Sequence, residues 1–464
     1  MSPTFPRSGG VLLPLASAPA PHGLGDLGPG AHGLVDWCAE AGLTWWQMLP
    51  VGPLGPGHSP YSSSSAFAGE PLYLSLEALA DEGLLASSDL EAPASLSAGR
   101  IDYRRAAAFK RARLEQAQQT WRARAAARDR AFERFCADAA AWLDPWAERA
   151  RDPLEARFLQ HRFQVQWEAL RRHARSRRVR LLGDAPIFVG LDSVDVQARP
   201  ELFRLDRAGL PRVVTGCPPD PFTPDGQRWG HPHYAWAAHR AEGFRWWRSR
   251  IGRQLELFDA VRIDHFIGFH HAYEIPAAND HARLGRWGRT PGRELLEALR
   301  EDHPRLPLVA EDLGNATRGV AQLREAFGLP GMKILQWAFH PGSGDAPHRV
   351  PQNAVVYPGT HDNDTTRGWW RTLAPEARAR ALALTGGSPA TIAWDLWRTA
   401  CTTAAHTAIA QAQDLLELPG SARTNVPGKP SGNWRWRPSG RDFSPALARR
   451  TRALLEATDR LPRT

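Results

Sequence analysis

Lysine is almost absent from this 464-residue chain: Lys110, Lys333 and Lys429 are its only lysines, beside three methionines, six tyrosines and four cysteines. The cysteines, Cys38, Cys136, Cys217 and Cys401, lie far apart with no Cys-x-x-Cys pair. That excludes a zinc or redox motif and a disulfide framework, and reads as reduced, mostly buried thiols. No apolar run approaches the roughly 18 to 20 residues of a membrane span, so no membrane association is expected. The first residues lack the basic-then-apolar order of a signal peptide, so a cytoplasmic location is expected. With lysine scarce, the net charge of +9 and pI near 9.9 rest on arginine. The arginines are densest from Arg104 to Arg180, interleaved with Ala, Glu and Asp at helical spacing, as on solvated helix faces. No recognition motif accompanies that charge, so nucleic acid is not an expected partner. There is no repeat of fixed period and no low-complexity tract.

What is present is globular: 42% hydrophobic and 23% charged residues rule out a fibre or a disordered tail. The length fits two or three ordinary domains, or one barrel-type α/β domain with insertions. Nineteen tryptophans against six tyrosines supply flat indole faces that suit sugar rings, although tryptophan also serves the core.

Along the chain, Gly10-Val-Leu-Leu-Pro-Leu, a helical stretch from Ala31 to Gly42 and Thr44-Trp-Trp-Gln-Met-Leu-Pro read as strand, helix, strand. Residues 97–180 read as a helical insertion, with Phe132, Phe135, Ala139 and Trp142 and then Leu159, Phe163, Trp167 and Leu170 at helical intervals. The strand-then-helix rhythm resumes at Arg180-Leu-Leu-Gly-Asp-Ala-Pro, Phe258-Asp-Ala-Val-Arg-Ile-Asp-His-Phe, Leu308-Val-Ala-Glu-Asp, Met332-Lys-Ile-Leu-Gln-Trp and Ala354-Val-Val-Tyr-Pro-Gly-Thr-His-Asp. Each is an apolar run ending in polar residues, the pattern of buried parallel strands. At least seven such units argue for one (β/α)8 TIM barrel spanning 1–464, with helical and loop insertions around the catalytic face. The stretch Gly216 to Trp236 is too broken by Gly and Pro to read as helix or strand. Within 214–250 it is expected to form a lid over the barrel mouth, carrying Phe222, Gln227, Trp229 and Tyr234.

Asp264, Glu311 and Asp362 end predicted strands, at the face where barrel enzymes place their chemistry. Singly, each could be a cap or a surface acid. Together they meet the needs of retaining glycoside chemistry, a nucleophilic carboxylate and a protonated carboxylic acid about 5 to 5.5 Å apart. Arg262, two residues before Asp264, shares its strand face and would keep it ionised, whereas Glu311 needs a raised pKa. A rival metal site from His265, His361, Asp264 and Asp362, or from His270 and His271, lacks recognised ligand spacing, and no metal is expected.

The chain resembles the amylomaltase (disproportionating enzyme) family of 4-α-glucanotransferases, relatives of the α-amylases. The likeness runs from about Arg7 to Arg437. It is carried by Ser59-Pro-Tyr-Ser-Ser-Ser-Ser-Ala-Phe-Ala-Gly, Gly183-Asp-Ala-Pro-Ile-Phe-Val, Asp192-Ser, Pro218-Pro-Asp, Gly226-Gln-Arg-Trp-Gly, Arg262-Ile-Asp-His-Phe, Ala310-Glu-Asp-Leu-Gly, Pro330-Gly-Met-Lys, Gly359-Thr-His-Asp-Asn-Asp and Gly432-Asn-Trp-Arg-Trp-Arg. The resemblance implies that Asp264 is the nucleophile, Glu311 the general acid/base and Asp362 the third acid. It further implies that Arg262, His361 and Tyr61 line the subsite of the reacting glucose, and that Ser59, Asp192, Gln227, Trp229 and Asn433 hold neighbouring sugars. Departures are Pro221 in place of a lid tyrosine, Ile267 in place of arginine and His231 in place of asparagine.

The implied activity is transfer of α-1,4-glucan segments from maltooligosaccharides, amylose or glycogen-derived glucans to another glucan or to glucose, with no cofactor. The alternatives are a hydrolytic α-glucanase and a non-catalytic glycan-binding barrel, the latter disfavoured because all three acids are present.

Overall fold

The structure, a computed structural model, describes residues 5–462 apart from 98, 126–128, 220–223, 315–316 and 341–342. In chain order its strands are β1 (Ser8–Leu12), β2 (Trp45–Gln47), β3 (Arg180–Pro186), β4 (Val213–Cys217), β5 (Gln227–Pro232), β6 (Ala260–Asp264), β7 (His271–Pro276), β8 (Arg286–Arg289), β9 (Leu308–Ala310), β10 (Gly331–Ile334), β11 (Ala354–Tyr357) and β12 (Thr407–Gln411). Eight of them close into a barrel in the order β1-β12-β11-β10-β9-β6-β3-β2. Every neighbouring pair is parallel.

Alternate residues of these strands face opposite ways, which explains why the runs are apolar on both faces. Leu12, Trp45, Leu182, Ala260, Val309, Ile334, Val355, Tyr357 and Ile409 meet inside the barrel. Val11, Trp46, Leu181, Val261, Leu308, Val356 and Ala408 pack outward beneath the helices. Phe5 stacks on Trp45 at 5.2 Å. Toward the carboxyl ends the inward residues become polar: Gln47, Asp184, Arg262 and Gln411 are all buried there. The barrel is thus dry at one end and hydrogen-bonding at the other.

The strand β12 was not among the seven units legible in the sequence. Its Thr-Ala-Ile-Ala-Gln is short and alanine-rich between helical stretches, and its pairing to β1 and β11 makes it a strand. The expected loop Gly216–Trp236 is also corrected. It holds the end of β4 and the whole of β5, which join β7 and β8 in an antiparallel sheet of order β5-β4-β7-β8. Its glycine belongs to the strand: a Cβ on Gly216 would lie 2.1 Å from the Gln227 carbonyl. The register shifts between Val214 and Gly216, so the glycine marks a bulge. Asp220, Pro221 and Phe222 lie outside the described residues.

Residues 97–180 carry the helices Tyr103–Ala125, Arg130–Glu148 and Pro153–Ser176. The last lies on the barrel: the Trp167 indole donates to the Leu257 carbonyl at 2.7 Å and packs T-shaped against Phe258 at 5.1 Å. His173 at its far end meets Asp36 of the helix Pro29–Glu40. It is therefore the crossover helix between β2 and β3, and the two earlier helices stand outside it. Cys38 and Cys401 are buried, and burial pushes the Cys401 thiol up to about 12.

Lys110, fully buried on the first of these helices, pairs at 2.8 Å with Asp26, itself buried in the connection after β1. Burial raises the Asp26 pKa, and the ammonium opposes that rise. Lys110→Ala strands a buried carboxylate and is expected to cost about 3 to 5 kcal/mol. The double variant Asp26→Asn/Lys110→Met should recover most of that in urea unfolding, and equal losses in both would contradict a pair held together by charge.

Candidate active site

The site is built on the polar end of the barrel. Ala260, Arg262 and Asp264 of β6 face inward together, and Arg262 stands in register with Asp184 of β3. The guanidinium is 4% exposed. Its Nη1 donates to both carboxylate oxygens of Asp184 at 2.8 Å, and its Nη2 meets Asp264 Oδ1 at 2.9 Å. Asp184 has no exposed surface at all. Its second oxygen also accepts the Tyr61 hydroxyl at 2.7 Å. Because that hydroxyl hydrogen goes to Asp184, the Tyr61 oxygen accepts from His361, whose Nε2 is 2.8 Å away. The two rings stack at 5.3 Å with 15° between planes.

His361 Nε2 also lies 3.3 Å from Asp362 Oδ2. Asp362 Oδ1 accepts the Asn425 amide at 2.6 Å, and the Asp362 carbonyl accepts Arg423. Burial works to raise the Asp362 pKa, but the attraction of His361, the hydrogen bonds from His361 and Asn425 and the Arg262 charge together hold it well below the usual carboxylate range. Its side chain stays 44% exposed to the cleft.

Glu311 follows β9 by one residue, as Asp264 follows Ile263, and Ile263 and Ala310 are paired across β6 and β9. The two carboxyls therefore end adjacent strands. Glu311 Oε2 accepts the His265 backbone N–H at 2.7 Å and Oε1 that of Leu313 at 3.2 Å. His265 can offer its N–H because it turns into the left-handed region, φ 53°, directly after β6. Burial and the Asp264 charge push the Glu311 carboxyl up to about 8, against Arg262 and those two N–H groups. The acids thus occupy opposite environments: Asp362 is held ionised while Glu311 keeps its proton at neutral pH.

A cleft beside Asp264 is walled by Tyr61, Phe188, Trp229, His231 and His265. The Trp229 indole stands edge-on to His265 at 4.8 Å and donates to Gln227 Oε1 at 3.1 Å. Burial lowers both His265 and His231 to about 4, so these walls are neutral imidazoles at pH 7.

All three acids, Arg262, His361 and Tyr61 come together at this end of the barrel. Ser59 supports Tyr61, its hydroxyl accepting the Tyr61 N–H at 3.3 Å. Asp192 is exposed, and its charge is felt by His231. Gln227 orients Trp229. Asn433 is spent on its own loop, accepting the Val426 N–H at 3.0 Å and donating to the Lys429 carbonyl at 2.9 Å. It is the next residue, Trp434, that leans over Tyr61 at 5.9 Å and His361 at 6.2 Å. Tyr234, expected on the lid, is buried instead, its hydroxyl donating to the Ile187 carbonyl.

Sequence reading gave no role to Asp184, Asn425, Trp434 or Phe188. Alternation along β3 is a signal that would have found Asp184, an acid on the inward face two residues after Leu182; nothing local marks Asn425. Of the histidines in the rival metal site, His270 and His271 meet each other through their Nδ1 atoms at 2.6 Å. Among the described residues, metal-like spacing occurs at His22, Asp26 and Glu77, where Asp26 already holds Lys110.

Residues 13–150 and 148–441 match the family described as 4-alpha-glucanotransferase, glycoside hydrolase family 77. The chain belongs to this family. The 4-alpha-glucanotransferase of Thermus thermophilus is 41% identical to it over 98% of this chain and 100% of its own. An amylomaltase from Streptococcus agalactiae in complex with acarbose superposes with a TM-score of 0.93 at 31% identity, covering 98% of this chain and 100% of its own. That of Corynebacterium glutamicum shares the fold, with a TM-score of 0.83 at 17% identity over 98% of this chain and 75% of its own.

The glucanotransferase site should also leave a mark on stability. Glu311 has a folded pKa near 8 against an ordinary 4.5, so its stabilising contribution is complete below 4.5 and is lost as pH rises through 8. Glu311→Gln removes that loss. Its thermal midpoint should gain on the parent's between pH 4.5 and 8, and a constant difference would show that folding does not raise this carboxyl.

Proposed function

We propose that this 4-α-glucanotransferase transfers α-1,4-glucan segments by a retaining double displacement in which Asp264 attacks and Glu311 moves the proton. Asp264 adds to the anomeric carbon of a donor maltooligosaccharide or amylose chain, while Glu311 gives its proton to the departing glycosidic oxygen. The shortened glucan leaves with that proton as its new 4-hydroxyl. Glu311, now a carboxylate, takes the proton from the 4-hydroxyl of an acceptor glucan or glucose. The resulting oxygen attacks the same anomeric carbon, the bond to Asp264 breaks, and the α configuration is restored.

The observation that carries the reading is the pairing of opposite demands on one barrel rim: a carboxylate gripped by a buried guanidinium, beside a carboxylic acid that keeps its proton up to about pH 8. Asp362, held ionised by His361 and Asn425, would face the positive charge that builds on the sugar ring in the transition state. Tyr61 would lie against that sugar, with Trp229 and His231 beside the next. Because Glu311 acts first as an acid, turnover should fall as pH rises through about 8.

Transfer requires an acceptor sugar to displace water at the second step. The aromatic wall of Phe188 and Trp229 supports it, since an acceptor stacked there gains the advantage of proximity. No described helix is long and apolar enough to cross a membrane. A cytoplasmic location suits the free, buried thiols of Cys38 and Cys401.

Incubation with maltotriose tests the reading. Glucose and longer oligomers should appear without a rise in total reducing ends, whereas a rise matching bond cleavage means that water is the acceptor. Asp264→Asn should abolish both products while keeping the parent's thermal midpoint. Asp362→Asn should cost on the order of 10² or more in kcat. Parental turnover by Asp264→Asn would sink the assignment.

A further inference from the structure

The third acid is held from a segment more than sixty positions away in the chain. Asn425 is 8% exposed and lies in the stretch between the short helix Ala412–Leu415 and the final helix Pro445–Ala457. Its amide nitrogen donates to Asp362 Oδ1 at 2.6 Å, and its backbone N–H donates to the His361 carbonyl at 3.2 Å. Arg423, two residues earlier, donates to the Asp362 carbonyl and to the Asn425 carbonyl. The segment is itself pinned: Thr424 accepts the Trp434 N–H at 2.8 Å and the Gln413 amide at 2.7 Å.

We infer that Asn425 is a positioning residue for the transfer reaction, acting through Asp362 by fixing the plane of its carboxylate. One Asp362 oxygen is taken by the Asn425 donor and the other faces His361 Nε2, so the carboxylate has no freedom to rotate about its last bond. The groups facing Asp362 are His361 beside it, Arg262 of β6, Tyr61 and Arg423. Of the groups bonded to its side chain, Asn425 alone is neutral at every pH, so it donates whatever the state of its surroundings. Asn425 does not itself reach the reacting atoms; its effect on rate passes through the acid it holds. This inference rests on the reading of Asp362 as the acid that stabilises the transition state.

The test compares N425A, N425D and D362N with the parent, measuring kcat and KM for maltotriose across pH and the thermal midpoint of each. Loss of a hydrogen bond to a charged group predicts a fall in kcat of roughly 10- to 100-fold for N425A, with KM changed far less. N425D keeps the shape and puts a second carboxyl against Asp362, so the two must share one proton. While that proton is present the introduced carboxyl still donates. N425D should therefore work in acid and lose turnover as pH rises through the pair's upper pKa, a fall additional to the one near pH 8 that Glu311 gives the parent and N425A.

A role confined to packing the loop would lower the thermal midpoint without adding that fall. Parental kcat in N425A, or an N425D pH profile that superposes on the parent's, overturns the inference. If N425A fails to fold, the near-isosteric N425D carries the decision. Full activity in D362N strikes at the reading of Asp362 itself, whereas a dead D362N beside parental N425A and N425D removes only the role of Asn425.

Discussion

A guanidinium buried in the mouth of a barrel has to be surrounded by groups that can accept its hydrogen bonds, and Arg262 sets that requirement for everything around it. Two Asp184 oxygens and one from Asp264 answer it directly. The rest is a chain of consequences, since an unpaired buried polar group costs more than a bond contributes. Asp184, with no exposed surface, needs further donors and takes the Tyr61 hydroxyl. Tyr61 then accepts from His361, which stands against Asp362, which draws in Asn425. One charge buried by the alternation of β6 thus orders side chains from four parts of the chain. The order exists before any sugar arrives, which is what electrostatic stabilisation of a transition state demands.

The two remaining acids differ because their neighbours differ. Asp362 meets an imidazole and an amide and opens to the cleft. Glu311 receives only two backbone N–H groups and stands partly buried beside the charge of Asp264, and its carboxyl rises to about 8. The left-handed turn at His265 ends β6 just past Asp264, hands its N–H to Glu311 and sets its ring against Trp229. Trp229 itself rides on β5 of the antiparallel sheet, so that wall of the cleft stands on a paired strand and not on a free loop.

The barrel and its three acids were legible because both follow from local pattern. Apolar runs ending in Asp264, Glu311 and Asp362 put acids at one rim whatever fills the space between them, and a period of two places Arg262 beside Asp264. What stayed hidden depends on partners distant in sequence. The strand β12 owes its state to pairing with β1 and β11. The strand β5 reads as a loop until Gly216 is seen to allow close approach of Gln227. Asn425 and Asn433 look alike in the sequence, each in a Gly- and Pro-rich stretch. The first is bonded to Asp362, 63 positions away, and the second to its own loop, a difference made entirely by tertiary packing.

The central claim, a covalent sugar on Asp264 formed and resolved with Glu311's proton, is tested most directly by trapping. In Glu311→Gln the proton is missing, but the fluoride ion of α-maltosyl fluoride departs without one, so the first step should proceed and the second stall. Intact mass should rise by one maltosyl unit, and digestion should place it on the peptide bearing Asp264. A maltosyl unit on another carboxylate, or a burst of fluoride with no covalent adduct, would contradict the account.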